Sequence, residues 1–333
     1  MKTDSLGIAI VGLGYYSTYH IAPAITKSNK CHLAAVVTGS NIKGTMWRHK
    51  YNLKKESIYS YESFTDIGSN DEIDIVYIAL PISLHAKYTV LAASVGKHVI
   101  CEKPMAANVG EAKAMIRACK SNNVKLAIGY RLHYEPHHQF LMQLKSRNQI
   151  LEIKSEFGHP IADKNEWRLS KNLAGGGALL DSGIYCIQAA RYITSELPKS
   201  VRAVAEYSLS DDGVEDWIDF EFLYENRPNV KFNANYREKV NKLVVKTSNH
   251  KYVLNKAFGF KGQKFRNPLT ELRIPKTRKA PIVSFLEDFI DYIENDTNLK
   301  ASGYEGLIDV QIIEALYKSA RTKREEPVIY LDD

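Results

Sequence analysis

The sequence predicts an α/β protein in two parts, a doubly wound parallel sheet followed by a second unit built on an antiparallel sheet. Three observations carry that prediction. Apolar runs alternate with helix-length segments over residues 8–128. Two closely spaced glycines, Gly12 and Gly14, end the first apolar run. Beyond Tyr130 the apolar pattern settles into period two, with no helices between successive runs. Strands alternating with helices form parallel βαβ units, and two-residue periodicity marks strands with one covered face.

The first strand, Ile8-Ala-Ile-Val11, passes through Gly12-Leu-Gly14-Tyr-Tyr-Ser17 into a helix-like segment. A parallel sheet brings backbone N–H groups onto a pyrophosphate in this way, so Gly12, Gly14, Tyr15 and Tyr16 are candidate cofactor contacts. Ser17 holds the third position of the Gly-x-Gly-x-x-Gly pattern, where a small residue permits close helix–strand packing. The second strand (33–37) ends in Thr38-Gly39-Ser40-Asn41, with Lys43 and Arg48 beyond. No Asp or Glu occurs between Gly14 and Glu56. An NAD site places a carboxylate on the ribose roughly 20 residues after the glycines. Hydroxyls and cations at Thr38, Gly39, Ser40 and Lys43 suit a 2′-phosphate instead, so NADP is expected in preference to NAD.

Residues 73–80 form a buried-strand pattern that stops at Pro81, and a helix over 83–93 follows with Ser83 as its cap. Residues 98–101 are the next strand, closed by Glu102-Lys103-Pro104; Asn108 starts a helix ending near Lys120, and 124–128 return to strand. Ligands sit at the carboxyl ends of such strands, where Gly12, Thr38, Leu80, Pro81, Glu102 and Lys103 all fall. The division is placed at residue 129, giving domains over 1–129 and 130–333. In the second, a helix over 135–145 and a Gly175-Gly-Gly177 junction lead to a helix over 179–192. Strands follow over 201–207, 217–222, 230–236 and 242–246, then helices over 285–293 and 307–320. The basic, unpatterned stretch 258–281 is expected to be a surface excursion.

A chain of 333 residues, 44% hydrophobic and 25% charged, is globular and long enough for two cores. No apolar stretch reaches the roughly 20 residues of a membrane span. The first strand starts too near Met1 for a signal peptide, and the four scattered cysteines read as reduced core thiols, so a cytoplasmic protein is expected. The net charge of +7 is spread along the chain and suits a phosphate-bearing small molecule. No recognition module for nucleic acid occurs, and neither nucleic acid nor membrane is expected as a partner.

Three groups could carry chemistry. Lys103, at a strand's carboxyl end, could polarise a substrate oxygen; a strand-terminal surface lysine is the plain alternative. Asp181 and Tyr185 share a helix face at i,i+4 spacing. An acid in a mostly apolar helix is costly unless paired or used, and a tyrosine exchanges a proton when a cation such as Lys103 stabilises the phenolate. A cap and a core aromatic are the alternatives for this pair. His133, Glu135, His137 and His138 lack His-Glu-x-x-His spacing and Pro136 interrupts their helix, so no metal site is expected. Arg131, Trp167 and Arg168 could contact cofactor or substrate, or belong to a solvated hinge.

The pieces Ala9-Ile-Val-Gly-Leu-Gly14, Cys101-Glu-Lys-Pro-Met105, Gly129-Tyr-Arg131, Trp167-Arg-Leu169 and Leu180-Asp-Ser-Gly-Ile-Tyr185 occur in that order. Together they resemble the Gfo/Idh/MocA oxidoreductase family, most of all its glucose–fructose oxidoreductase branch. The resemblance implies an N-terminal Rossmann domain and a C-terminal α/β domain with a large open, mainly antiparallel sheet, whose outer face makes homodimers or homotetramers. It implies that Lys103 and Tyr185 serve the reacting oxygen while Asp181 positions substrate. Thr38, Lys43 and Tyr61 would lie near the adenosine end of the cofactor. Leu80, His85, Glu102, Arg131, Trp167 and Arg168 would line it toward the nicotinamide. Many relatives carry histidine at the position of Tyr185; the tyrosine form is similar to the glucose–fructose enzyme and dimeric dihydrodiol dehydrogenase, both NADP users. The sequence begins at the first strand, without the N-terminal arm of the glucose–fructose enzyme, so an exchanging cofactor is expected. The activity implied is hydride transfer between NADP and a sugar, polyol or related cyclic alcohol or carbonyl, with Tyr236 and Arg237 helping to hold hydroxyls. A trans-dihydrodiol-type reductase or dehydrogenase, and a non-catalytic NADP-sensing regulator, are the alternatives.

Overall fold

The first sheet contains β1 Leu6–Val11, β2 Cys31–Val37, β3 Ile58–Tyr59, β4 Ile75–Ile78, β5 His98–Cys101 and β6 Leu126–Ile128. The structure is a computed structural model that describes residues 5–145, 149–163, 165–209, 213–225, 228–266, 274 and 279–331. The strands are all parallel in the order β3-β2-β1-β4-β5-β6, the doubly wound arrangement expected from the sequence. Helices α1 Ala22–Ile25, α2 Asn41–Tyr51, α3 His85–Ser94 and α4 Val109–Ser121 connect them. The strand order reverses between β1 and β4, which opens a crevice above their carboxyl ends. Side chains of Ser40 and Asn108 accept from the Lys43 and Glu111 amides and so cap α2 and α4. Ser83 makes no such bond: a 3₁₀ turn over Ile82–Leu84 intervenes and α3 starts at His85.

The second sheet has eight strands: β7 Ile150–Gly158, β8 Ser200–Glu206, β9 Trp217–Leu223, β10 Asn229–Asn235, β11 Val240–Thr247, β12 Lys251–Asn255, β13 Lys264–Phe265 and β14 Glu326–Pro327. Their order is β13-β12-β11-β7-β10-β9-β8-β14, antiparallel throughout except for the parallel pair β7–β10. The mainly antiparallel sheet is as expected, but β7, β12, β13 and β14 are additions to the strands read from the sequence. Helices α5 Pro136–Met142, α6 Lys171–Ala174, α7 Ile184–Thr194, α8 Pro281–Asn295 and α9 Gly303–Thr322 complete the chain. Ile153 and Ser155 of β7 face the core, whereas Lys154 and Glu156 face outward. That outer face carries Arg202, Asp219 and Lys231 as well, around a shallow concavity of about 1020 Å³.

Phe285 and Phe289 of α8 and Leu307 and Val310 of α9 pack in one core with Ile8, Val76 and Ile128. The core of the first sheet therefore draws on residues from both sides of the 129/130 division. Arg191 of α7 pairs with Asp309 of α9 at 2.5 Å and with Glu305 at 2.8 Å, a buried ionic tie beneath the second sheet. Stretch 258–281 is not the plain surface excursion expected: Phe258 is buried and β13 extends the sheet, while 267–273 and 275–278 lie outside the described residues. All four cysteines are buried and free. No helix among the described residues is long and apolar enough to cross a membrane.

Candidate active site

Gly12 leaves β1 with φ +90°, and a Cβ there would stand 2.5 Å from the Ala79 carbonyl oxygen, so only glycine fits this turn. At Gly14 a Cβ would meet nothing within 4 Å, which leaves the backbone open on that side. The helix that follows starts as a π turn over Ser17–Ile21, and the buried Ser17 hydroxyl donates to the Gly12 carbonyl at 2.6 Å. Serine thus does more than substitute for a third glycine; it ties the helix start to the turn. These features fit the diphosphate of a bound dinucleotide, to which turn and helix start would offer backbone N–H groups. Tyr15 is exposed beside Tyr19, and Tyr16 turns inward toward His20.

At the end of β2, Thr38 is buried and its hydroxyl accepts from the Ser40 amide at 3.2 Å. Lys43 is exposed on the first turn of α2. The Tyr61 ring lies against Gly39, 3.3 Å from where a Cβ would stand. Glu62, the first acid beyond β3, is drawn to the Ser60 hydroxyl, which lowers its pKa.

At the end of β5, Glu102 is buried and accepts from the Tyr77 hydroxyl at 2.7 Å; burial pushes its pKa up. A Cβ on Gly129 would come within 2.7 Å of the Glu102 carboxyl, so this glycine makes room for the acid. The next peptide bond, Lys103–Pro104, is cis. His85 is buried with its ring nitrogens 3.0 Å from the Pro104 carbonyl and 2.9 Å from that of Leu80. Burial lowers its pKa, and a neutral ring donates only one of these bonds. His85 therefore ties the Leu80-Pro81 turn to the lysine loop rather than offering a free nitrogen to a ligand.

Lys103 reaches across the cleft. Its ammonium donates to the Asp181 carbonyl at 2.8 Å, lies 3.4 Å from Asp181 Oδ1, and sits 4.6 Å from the centroid of the Tyr185 ring. Asp181 stands on a π turn, Leu179–Gly183, that precedes α7. The buried Glu215 carboxylate anchors this helix start by accepting from the Gly177 and Leu179 amides, both at 3.0 Å, and from the Tyr317 hydroxyl. Arg168 Nε donates to Asp181 Oδ2 at 2.9 Å, and His159 Nε2 lies 3.5 Å from the same oxygen. Burial opposes ionisation of Asp181, but Lys103, Arg168 and His159 together bring its pKa down to about 2. The Tyr185 ring packs between Phe157 and Phe258, 5.4 and 5.9 Å away, and its hydroxyl has no hydrogen-bond partner among the described residues.

Other expected residues fall differently. Arg131 is buried and donates to the Phe258 and Gly259 carbonyls. The Arg168 guanidinium covers the Trp167 ring and binds Glu166 in addition to Asp181. Tyr236 is buried beside His159. Arg237 is spent on Asp216 and Glu206 and over Trp217, so it is a structural group rather than a hydroxyl ligand. His133 lies tilted against the Tyr192 ring, His137 bonds Glu135 and His138 bonds the Ala257 carbonyl; no group of three metal-ligating side chains occurs among the described residues.

Residues 6–130 match the Gfo/Idh/MocA oxidoreductase family, NAD-binding Rossmann fold, and residues 148–252 match the Gfo/Idh/MocA C-terminal domain. The solved structure of an aldose–aldose oxidoreductase from Caulobacter crescentus superposes with a TM-score of 0.90 at 35% identity, covering 97% of this chain and 99% of that one. The chain belongs to the Gfo/Idh/MocA oxidoreductase family. Within that family it is 26% identical to a D-xylose 1-dehydrogenase [NADP(+)] of Haloarcula marismortui, over 95% of this chain and 91% of the relative. It is 30% identical to trans-1,2-dihydrobenzene-1,2-diol dehydrogenase of Xenopus laevis, over 50% of this chain and 51% of the relative. Two residues of this Gfo/Idh/MocA site, His159 and Phe258, carry no sequence signal. Each is a lone side chain after an unpatterned strand end, and only sheet register brings it to Asp181 or Tyr185.

Proposed function

We propose that the protein transfers a hydride between NADP and a sugar, polyol or related cyclic alcohol or carbonyl, with Tyr185 as acid/base assisted by Lys103. The observation that carries this reading is one ammonium, Lys103, contacting both the Asp181 carbonyl and the Tyr185 ring face across the cleft. Hydroxyls and Lys43, with no acid, at the end of β2 support NADP, as does the NADP named in the xylose dehydrogenase relative. The sugars named in that relative and in the Caulobacter enzyme support the substrate class.

When bound, the nicotinamide accepts or donates the hydride. In oxidation Tyr185 takes the proton of the reacting hydroxyl, and in reduction it returns one to the carbonyl oxygen. Lys103 stabilises the negative charge that develops on the phenol and substrate oxygens. Asp181, held ionised, accepts from a neighbouring hydroxyl, and His159 and Tyr236 complete that polar wall. Incubating the protein with NADP and a panel of aldoses and polyols, followed at the reduced-nicotinamide absorbance, tests the reading. Turnover with at least one sugar is expected; binding of NADPH without turnover of any panel member overturns it.

The resemblance to the aldose–aldose oxidoreductase favours a second reading, in which one aldose is oxidised and another reduced on a cofactor that stays bound. Formation of both products over many turnovers, with no NADP beyond that bound to the enzyme, distinguishes it from net dehydrogenation. The outer face of the second sheet, where Val204 is 68% exposed, is the surface proposed for a homodimer or homotetramer, and light scattering reads its state.

A further inference from the structure

We infer that residues 257–261 form a clasp between the two domains that slows release of the bound dinucleotide. The inference rests on the nicotinamide-dinucleotide site of the proposed function. The loop leaves β12 through Lys256 at φ +52° and ends at Gly262 at φ +81°, so it is bounded by two left-handed turns. It is folded on itself: the Gly259 amide donates to the Lys256 carbonyl at 3.0 Å, and the Gln263 side chain donates to the Gly259 carbonyl at 2.6 Å. Its base is fixed to the second domain, where His138 Nε2 meets the Ala257 carbonyl and the Phe258 amide donates to Asn241.

Two rings two residues apart reach the two ends of the cleft. Phe258 is buried against Phe157 and Tyr185, at the reacting end. Phe260, 44% exposed, stacks on His20 with centroids 3.8 Å apart and planes 16° apart, and lies 5.9 Å from Tyr16. His20 and Tyr16 belong to the helix start that follows Gly12 and Gly14, so this contact stands beside the diphosphate cradle. Arg131, two residues past the domain boundary, pins the loop: its guanidinium donates to the Phe258 and Gly259 carbonyls and covers the Phe260 ring at 4.2 Å. The Arg131 Nε is buried without a hydrogen-bond partner among the described residues. Lys261 follows Phe260 and adds a cation close to His20.

The loop therefore spans the cleft from catalytic tyrosine to phosphate-binding helix. A dinucleotide held beneath it leaves when the His20–Phe260 stack parts. Aromatic pairs of this kind hold with a strength that corresponds to roughly three- to tenfold in a rate.

Stopped-flow measurement of NADPH release from the full chain, chased with excess NADP, tests the clasp. Phe260→Ala and His20→Ala should each speed release about three- to tenfold. The double variant should be no faster than the faster single, because both remove one contact. Release unchanged within about twofold in both singles, or effects that multiply in the double, would overturn the clasp. Phe260→Leu keeps bulk without the stack and should also release faster, which preserves the test if the alanine variant does not fold. Repeating the series with NADH separates the two readings: faster release of NADH from a protein that does not bind NADPH upholds the clasp and removes the NADP assignment.

Discussion

Replacing Lys103 by methionine removes the charge and keeps most of the volume. The ammonium stands 4.6 Å from the Tyr185 centroid, with its side chain 13% exposed. With that distance as the charge separation and an effective dielectric of about 20, a full negative charge on the phenol gains roughly 3–4 kcal/mol from Lys103. Only part of that charge exists in the transition state, so a loss of about 2–3 kcal/mol, or roughly 30- to 200-fold in kcat/KM, is expected. The assay is steady-state reduction of saturating NADP by the best aldose of the panel. NADPH affinity, read by fluorescence titration, should change much less than turnover. Lys103→Met combined with Tyr185→Phe should be about as slow as Tyr185→Phe alone, because the lysine acts on the tyrosine's charge. A Lys103→Met enzyme within about threefold of wild type would refute the electrostatic role.

Three further outcomes follow from named contacts. Ser40→Asp keeps the cap on the Lys43 amide and puts a carboxylate at the end of β2, so the ratio of kcat/KM for NADP over NAD should fall about tenfold or more. Asp181 has a folded-state pKa of about 2 against its usual 3.8. Its charge thus adds stability above the usual value that is lost as pH falls toward the folded one; the urea-unfolding difference between wild type and Asp181→Asn should shrink by about 2 kcal/mol between about pH 5 and pH 2. Arg191→Met leaves Asp309 buried without its counter-ion and should destabilise the protein by about 3–5 kcal/mol in urea unfolding, with much of this recovered when Asp309→Leu is added.

The first sheet was legible because its strands are short apolar runs buried on both faces, each followed by a helix of ordinary length. The glycine turn and the lysine loop could be placed because the carboxyl ends of parallel strands share one edge. β7 escaped because Lys154 and Glu156, on its open face, break the apolar run with residues that favour helices. It is nevertheless the strand that joins β10 to β11, and its end places His159 beside Asp181. The 257–261 loop escaped for another reason: its partners, His20, Arg131 and Tyr185, lie far away in the chain and leave no periodicity near Phe258 or Phe260. Lys103 and Tyr185 could be paired in advance because a proton-exchanging tyrosine needs a cation, whereas the carbonyl contacts of His85 and Arg131 depend on backbone positions that side-chain patterns do not encode. Tyr61, by contrast, was recognisable only through the family resemblance, and its ring does lie on Gly39.

The most direct test of the Lys103–Tyr185 pair as the proton-handling centre is a single-turnover experiment on Tyr185→Phe with NADPH already bound. Nicotinamide fluorescence reports hydride transfer to an added sugar carbonyl, and the same signal before mixing reports binding. Unaltered NADPH binding with transfer slowed by about 10²- to 10⁴-fold is expected for loss of a general acid. Transfer at the wild-type rate would contradict it.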